Sequence, residues 1–159
     1  MFSAFGQEIN GFRELTFGMS LEAAKKAYPH LQLSAAGSWM GAVGYARTGE
    51  DLNIGDVKFD KLSYFFNDTG FCLMRAEIKR SERMGLHLER LKLKKSIEVK
   101  YGPPTKEDRT SMPGGAIWDS CDWVTGPVSV GVLHITGNAP ESSLVLAIKR
   151  TVVKHPIGF

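Results

Sequence analysis

The chain has 159 residues, of which 43% are apolar and 23% are charged, and its formal net charge is +3. This length fits one domain, or two small similar units that share a core, and the composition excludes disordered, collagen-like and coiled-coil proteins. So small a net charge does not by itself imply a nucleic-acid partner. The longest apolar stretch, Val128 to Ile135, is far shorter than the roughly 20 residues that cross a bilayer, so we predict no membrane span.

The N-terminal segment, Met1 to Asn10, has neither the basic start nor the apolar run of a secretory signal peptide. As written, the sequence therefore predicts a cytoplasmic protein. A secreted or periplasmic protein that begins at its mature N-terminus would look the same, and that alternative stays open.

The first predicted helix follows Gly18 and Met19. Ser20 can cap the free N–H groups of its first turn, and Glu22 places a negative charge where the helix dipole favours one. Pro29 ends the helix, because proline cannot donate the next hydrogen bond and disfavours helical geometry in the residue before it.

From residue 38 to residue 80, aromatic and β-branched residues alternate with turn residues, which is typical of strands. We predict three strands, at Trp39 to Arg47, Val57 to Phe66 and Phe71 to Lys79. The segment Asn67-Asp-Thr-Gly70 predicts a hairpin turn between the last two.

A second helix is predicted from Leu86 to Tyr101, because apolar residues recur near the helical period and Gly102 supplies a stop before two prolines. We expect a polar loop through Gly114 and Gly115 after it. Three more strands are then predicted, at Ile117 to Val124, Val128 to Ile135 and Leu144 to Val153.

The two halves of the chain follow the same order of elements, and Ile78-Lys79-Arg80 recurs as Ile148-Lys149-Arg150. We therefore predict an α+β fold in a single globular domain, residues 1–159, with internal repeats at 11–80 and 86–153. Each repeat would consist of one helix and three or four antiparallel strands. The helices would pack on one face of a curved antiparallel sheet.

The segment from Leu15 to Pro29, with its Gly-Met-Ser before a short helix, resembles the opening of helix-then-sheet modules of the BamE/SmpA family. A two-copy version of that architecture is similar to the β-lactamase inhibitory protein family, whose paired units form one curved sheet covered by helices. The resemblance implies a fold and not a function. BamE-type proteins carry a lipobox cysteine near the N-terminus, whereas Cys72 is the first cysteine here, so the resemblance implies no membrane anchor.

Two cysteines, Cys72 and Cys121, are predicted to be half-buried free thiols, because they form no recognised ligand or disulfide spacing. Cys121 lies in Trp118-Asp-Ser-Cys-Asp-Trp123, which resembles an enzyme site in composition. With His134 from a neighbouring strand, this region is the candidate for a small hydrolase or a ligand- or metal-binding protein; its members are Asp119, Cys121, Asp122 and His134. We assign no catalytic residue, metal or cofactor, because the sequence does not show that these groups converge.

The second predicted helix lies in a basic stretch of the chain, which has eight basic and three acidic residues between Lys79 and Lys100. Such a surface could bind nucleic acid or another anion by releasing counterions. Nearby glutamates favour a solvated face with local ion pairs instead, so nucleic acid is the weaker interpretation.

Aromatic residues in the predicted strands are the best candidates for a binding surface, because aromatic side chains dominate protein interfaces. They are Trp39, Tyr45, Tyr64, Phe66, Trp118 and Trp123. Core packing is expected to claim at least half of them. The leading hypothesis is a non-enzymatic module that binds a protein partner through an aromatic-rich sheet face and its loops, and a homodimer stays open.

Overall fold

The computed structural model describes residues 9–81, 85–137 and 141–150. These residues form two helices, α1 (Leu21–Ala27) and α2 (His87–Tyr101). The strands in chain order are β1 (Gly11–Phe12), β2 (Leu15–Thr16), β3 (Leu31–Trp39), β4 (Ala42–Arg47), β5 (Asn53–Ile54), β6 (Val57–Lys58), β7 (Lys61–Asn67), β8 (Gly70–Ser81), β9 (Lys106–Ser111), β10 (Ile117–Thr125), β11 (Val128–Thr136) and β12 (Glu141–Arg150).

Eight strands form one sheet in the order β3-β4-β7-β8-β12-β11-β10-β9, and neighbouring strands are antiparallel throughout. The remaining strands pair as two small hairpins, β1 with β2 and β5 with β6. The predicted α+β class with an antiparallel sheet is confirmed.

Local signals place α1 where the sequence predicts it. The Ser20 hydroxyl accepts a hydrogen bond from the Ala23 N–H at 3.1 Å, which caps the first turn. The helix ends at Ala27, two residues before Pro29. The helix buries Ala24. Tyr28, the residue that directly follows the helix, is fully buried.

The second helix buries Leu93 and Ile97, as its apolar period predicts. Leu91 lies outside this narrow buried stripe and is 45% exposed. Neither helix in the described residues is long and apolar enough to span a membrane.

Two edge strands differ from the prediction. The segment expected as one strand from Trp39 to Arg47 is only β4, and Trp39 is the last residue of β3, which the sequence did not reveal. The segment Lys106–Ser111, expected as part of a polar loop, is β9. All six of its residues are exposed, so it lacks the apolar alternation that identifies a strand.

The last strand ends at Arg150 in the described residues, and the predicted extension to Val153 lies outside them.

Side chains alternate across each strand, so the sheet has two sides. We define the inner side as the one whose residues join the main apolar cluster: Leu62, Tyr64, Met74, Ala76, Ile78, Leu144, Leu146, Val130, Val132, Cys121 and Trp123. The same cluster contains Ala24 of α1 and Leu93 and Ile97 of α2. The outer side carries the alternating residues, including a small second cluster of Ala42, Phe65 and Leu73.

The β7–β8 turn imposes a tight constraint at Gly70. Its φ is 98°, and a Cβ atom there would lie 2.5 Å from the carbonyl oxygen of Gly18. The same stretch is held by hydrogen bonds between Gly18 and Phe71 and between Phe71 and Met19. The hairpin therefore fixes the chain just before α1 against the sheet.

We expect Gly70→Ala to lower the free energy of unfolding by more than about 2 kcal/mol, because a backbone clash adds to the cost of a left-handed alanine. Gly49→Ala is the matched control, since Gly49 also has positive φ, 73°, but meets no described atom within 4 Å beyond its neighbours. Urea unfolding of both variants measures the difference. Equal losses would contradict this account of Gly70.

Candidate functional site

Three of the six predicted binding aromatics lie in the core. Tyr64, Phe66 and Trp123 are on the inner side and are at most 6% exposed. The indole N–H of Trp123 donates to the carbonyl oxygen of Gly102 at 3.0 Å. A role for these three in an exposed binding face is therefore corrected, because strand alternation turns them toward the apolar cluster.

Tyr64 has a structural partner that explains its burial. Its hydroxyl donates to Glu50 Oε2, which also lies 2.8 Å from Arg13 Nη1 in an ion pair whose glutamate side chain is 2% exposed. Burial, and then the neighbouring Glu50 carboxylate, raise the pKa of Tyr64 above its ordinary value. Tyr64 thus links the N-terminal hairpin to the sheet.

The other three predicted aromatics are more accessible. Tyr45 is partly buried on the inner side and packs edge-on against Phe66, with ring centroids 5.7 Å apart. Trp39 and Trp118 are each 40% exposed. The register places Trp118 on the outer side opposite Ile135, and Lys149 approaches the Trp39 ring to 5.9 Å from its centroid.

Apolar side chains form a continuous group on the outer side of the second half of the sheet. Trp118 is the cross-strand partner of Ile135, and Leu133 is the partner of Val145. Leu133 and Ile135 are two residues apart on β11, so the two pairs adjoin. We call these four residues the outer patch; all four retain solvent exposure.

Basic side chains border the outer patch. Arg75 and Lys79 lie on β8 on the outer side, and Lys61 lies beside them on β7. Glu77, the partner of Val145 across the strands, forms ion pairs with Arg75 at 2.9 Å and Lys61 at 3.5 Å. One carboxylate among three cations leaves this border positively charged.

Near the β3 edge of the sheet, the outer side is partly covered by the chain itself. The register of β3 shifts between Leu33 and Ser38, and the carbonyl oxygen of Gly37 lies 3.0 Å from where a Cβ atom of Gly44 would be. The ring of Phe65 approaches the same point to 2.9 Å and is fully buried. The irregular part of β3 therefore lies over Phe65.

The four residues of the enzyme-like region do not form one cluster. Asp122 lies on the outer side opposite Gly131, whereas Asp119, Cys121 and His134 lie on the inner side. Cys121 faces Val132 and Glu107 across its neighbouring strands, not a histidine. Lys94 and Arg90 lower the pKa of the Cys121 thiol, but burial and the Glu107 carboxylate outweigh them and raise it, so this arrangement does not favour nucleophilic chemistry at Cys121.

Asp119 and His134 do meet, in a cavity of about 340 Å³ on the inner side. The start of α2 contributes His87 and Arg90, while Arg109 comes from β9 and Ser142 from β12. Sequence reasoning missed Arg90, Arg109 and Ser142. Ser142 continues the alternation of Leu144, Leu146 and Ile148, and this period-two signal could have placed it on the inner side.

Metal binding finds no support in the described part of the chain. Among residues 9–81, 85–137 and 141–150, no group of three or more histidine, cysteine, aspartate or glutamate side chains could hold an ion. Both cysteines are free thiols. Cys72 is partly buried and its thiol lies 3.4 Å from the carbonyl oxygen of Phe65.

One cation of the basic helix is paired with a glutamate on β9, not with the glutamates of the helix itself from which the sequence predicted ion pairs. Lys94 Nζ lies 2.7 Å from Glu107 Oε1, and this hydrogen bond raises the pKa of Lys94. Lys92 and Lys95 are exposed to solvent. Exposed leucine and valine side chains separate the remaining cations, at Leu88, Leu91 and Val99.

Comparisons with protein-family models, with curated proteins and with solved structures found no match for this chain. The resemblance to BamE/SmpA modules therefore stays a prediction from the motif around Gly18-Met19-Ser20.

The environment of Cys121 predicts an unreactive thiol. Burial, and then its hydrogen bond to Glu107, raise the pKa of Cys121, so less thiolate forms at a given pH. We expect a Cys72→Ser chain, in which Cys121 remains, to react with iodoacetamide at least about tenfold more slowly when folded than in concentrated urea. Comparable rates in the two states would show an activated cysteine and restore the enzyme hypothesis.

Proposed function

We propose that this chain is a non-enzymatic interaction module that binds a protein partner through the outer patch. The partner's surface would combine an apolar ridge with acidic side chains. One observation carries the proposal: Trp118, Leu133, Ile135 and Val145 adjoin on an accessible side of the sheet, next to three cations. In this proposal α1 and α2 both cover the inner side, so that the outer side is left for a partner.

The chemistry of the outer patch determines the kind of partner that fits. Protein interfaces bury an apolar centre, often with tryptophan, inside a polar rim. Lys61, Arg75 and Lys79 would supply a positive rim on one side of this patch, because Glu77 offsets only one of the three charges. A partner with aspartate or glutamate beside an apolar ridge would satisfy both features.

The proposal includes the predicted tandem repeat. The sheet order reads from edge to centre as β3-β4-β7-β8 in the first half and as β9-β10-β11-β12 in the second, which supports two copies of a helix followed by four strands. In this arrangement the matching segments Ile78–Arg80 and Ile148–Arg150 belong to the two central strands. The outer patch would then belong mainly to the second copy.

The test begins with recovery of the tagged chain from its host and identification of any stoichiometric protein partner by mass spectrometry. The purified partner is then titrated calorimetrically against the wild type and Ile135→Ser. We expect the substitution to weaken binding by at least about fivefold, because a central apolar contact at an interface contributes more than about 1 kcal/mol. Binding should also weaken as salt is added, since the rim is cationic.

The matched control is Val99→Ser, which removes an exposed apolar side chain from α2, outside the outer patch. We expect the partner to bind this variant as tightly as the wild type. Equal binding by wild type and Ile135→Ser would overturn the assignment of the surface. Absence of a stoichiometric partner, or dimerisation of the chain itself that Ile135→Ser abolishes, would overturn the proposal of a separate acidic partner.

A further inference from the structure

The cavity on the inner side has the size of a small-molecule site. Its volume of about 340 Å³ lies at the lower end of the roughly 300–1,000 Å³ of typical ligand pockets. It lies between the first turn of α2 and the inner residues of four strands, β9 to β12. It is therefore separate from the outer patch, which uses the opposite side of the same strands.

Positive charge converges on this cavity from two elements. Arg90 lines it from the first turn of α2, and the described residues place no carboxylate within 4 Å of its guanidinium. Arg109 lines it from β9 and is 68% exposed. Two guanidinium groups can bind the oxygens of a carboxylate or phosphate with directed hydrogen bonds.

The start of α2 adds further hydrogen-bond donors. Leu86 occupies the N-cap position and makes no side-chain capping hydrogen bond, unlike Ser20 at the start of α1. The first N–H groups of a helix have no partner within the helix, and the helix dipole makes this end favourable to anions. Leu86 and His87 line the cavity, so this end of the helix adjoins it.

A buried serine gives an independent indication of a ligand. Ser142 is 1% exposed and lines the cavity, and its hydroxyl has no hydrogen-bond partner among the described residues. A buried hydroxyl without a partner costs free energy that a bound oxygen atom would recover.

Asp119 does not neutralise the positive charge of both Arg90 and Arg109. Its carboxylate lies 3.5 Å from Arg109 Nη1, whereas Arg90 forms no ion pair within 4 Å in the described residues and acts on the Glu107 carboxylate only at longer range. Asp119 and His134, which are cross-strand partners, also offer polar groups to the uncharged part of a ligand. The cavity is thus lined by two arginines and by polar side chains.

We propose that this cavity binds a small organic molecule through a carboxylate or phosphate group. The anionic group lies between Arg90, Arg109 and the first turn of α2, and Ser142 donates a hydrogen bond to the ligand. The site is independent of the proposed protein interface, so either assignment can fail without the other.

The test is a titration of the ¹⁵N-labelled full chain, followed by NMR, with inorganic phosphate in one series and succinate in another at constant ionic strength. We expect saturable shifts of the amide signals at residues 87–90 and of His134 with at least one of the two anions. Saturation with phosphate alone assigns the site to phosphate esters, and saturation with succinate alone assigns it to carboxylates. Absence of saturable shifts with both anions would overturn the proposal.

Two substitutions on α2 distinguish specific binding in the cavity from general electrostatic attraction to a basic helix. We expect Arg90→Gln to weaken binding by at least about tenfold, the loss typical of a charge-assisted hydrogen bond. Lys92→Gln removes the same charge from an exposed position two residues along α2, and we expect less than about a twofold change. Equal weakening by both variants would overturn the proposal, because it would show only diffuse electrostatic attraction.

Ser142→Ala tests whether the buried Ser142 hydroxyl contacts the ligand. We expect it to weaken binding of the anion while the thermal midpoint of the ligand-free chain stays the same or rises, since the hydroxyl has no partner to lose in the described residues. Unchanged affinity together with a lower thermal midpoint would mean that Ser142 is structural, and would overturn its role as a ligand contact.

Discussion

The pairing of β8 with β12 determines where the other parts of the sheet lie. Nine residue pairs, from Leu73 with Lys149 to Ser81 with Glu141, join the last strand of each half of the chain. On the inner side this pairing brings Ile78 to Leu144 and Ala76 to Leu146. Since side chains alternate along a strand, a slip of one residue would turn the charged outer residues of β8 into the core. The register is therefore fixed by the cost of burying those charges.

The same alternation gives the two sides of the sheet different chemistry. Trp118 and Ile135 face outward with Leu133 and Val145, while Asp119 and His134, their immediate neighbours along β10 and β11, face the cavity. One pair of strands thus contributes to both proposed sites. A partner on the outer patch and a ligand in the cavity would contact opposite sides of the same backbone, so no residue has to serve both.

Proximity in sequence is a poor guide to the site for this reason. The segment Trp118 to Trp123 contains two carboxylates and a thiol, yet extended geometry directs Asp122 away from Asp119 and buries Cys121 beside Glu107. The groups that do converge come from separate segments: Arg90 from a helix, Arg109 from an edge strand and Ser142 from the last strand. Only the fold brings these three residues together.

The sequence by itself determined the elements that depend on local interactions. The Ser20 cap, the stop at Pro29, the hairpin at Asn67–Gly70 and the buried stripe of Leu93 and Ile97 all follow from short-range sterics, hydrogen bonds and periodicity. The tertiary structure alone decided the rest. β9 has no apolar pattern and is a strand because β10 offers it a partner, and the inner or outer position of each aromatic depends on register and not on residue type. The cavity likewise depends on contacts between segments that are distant in the chain, which no local pattern encodes.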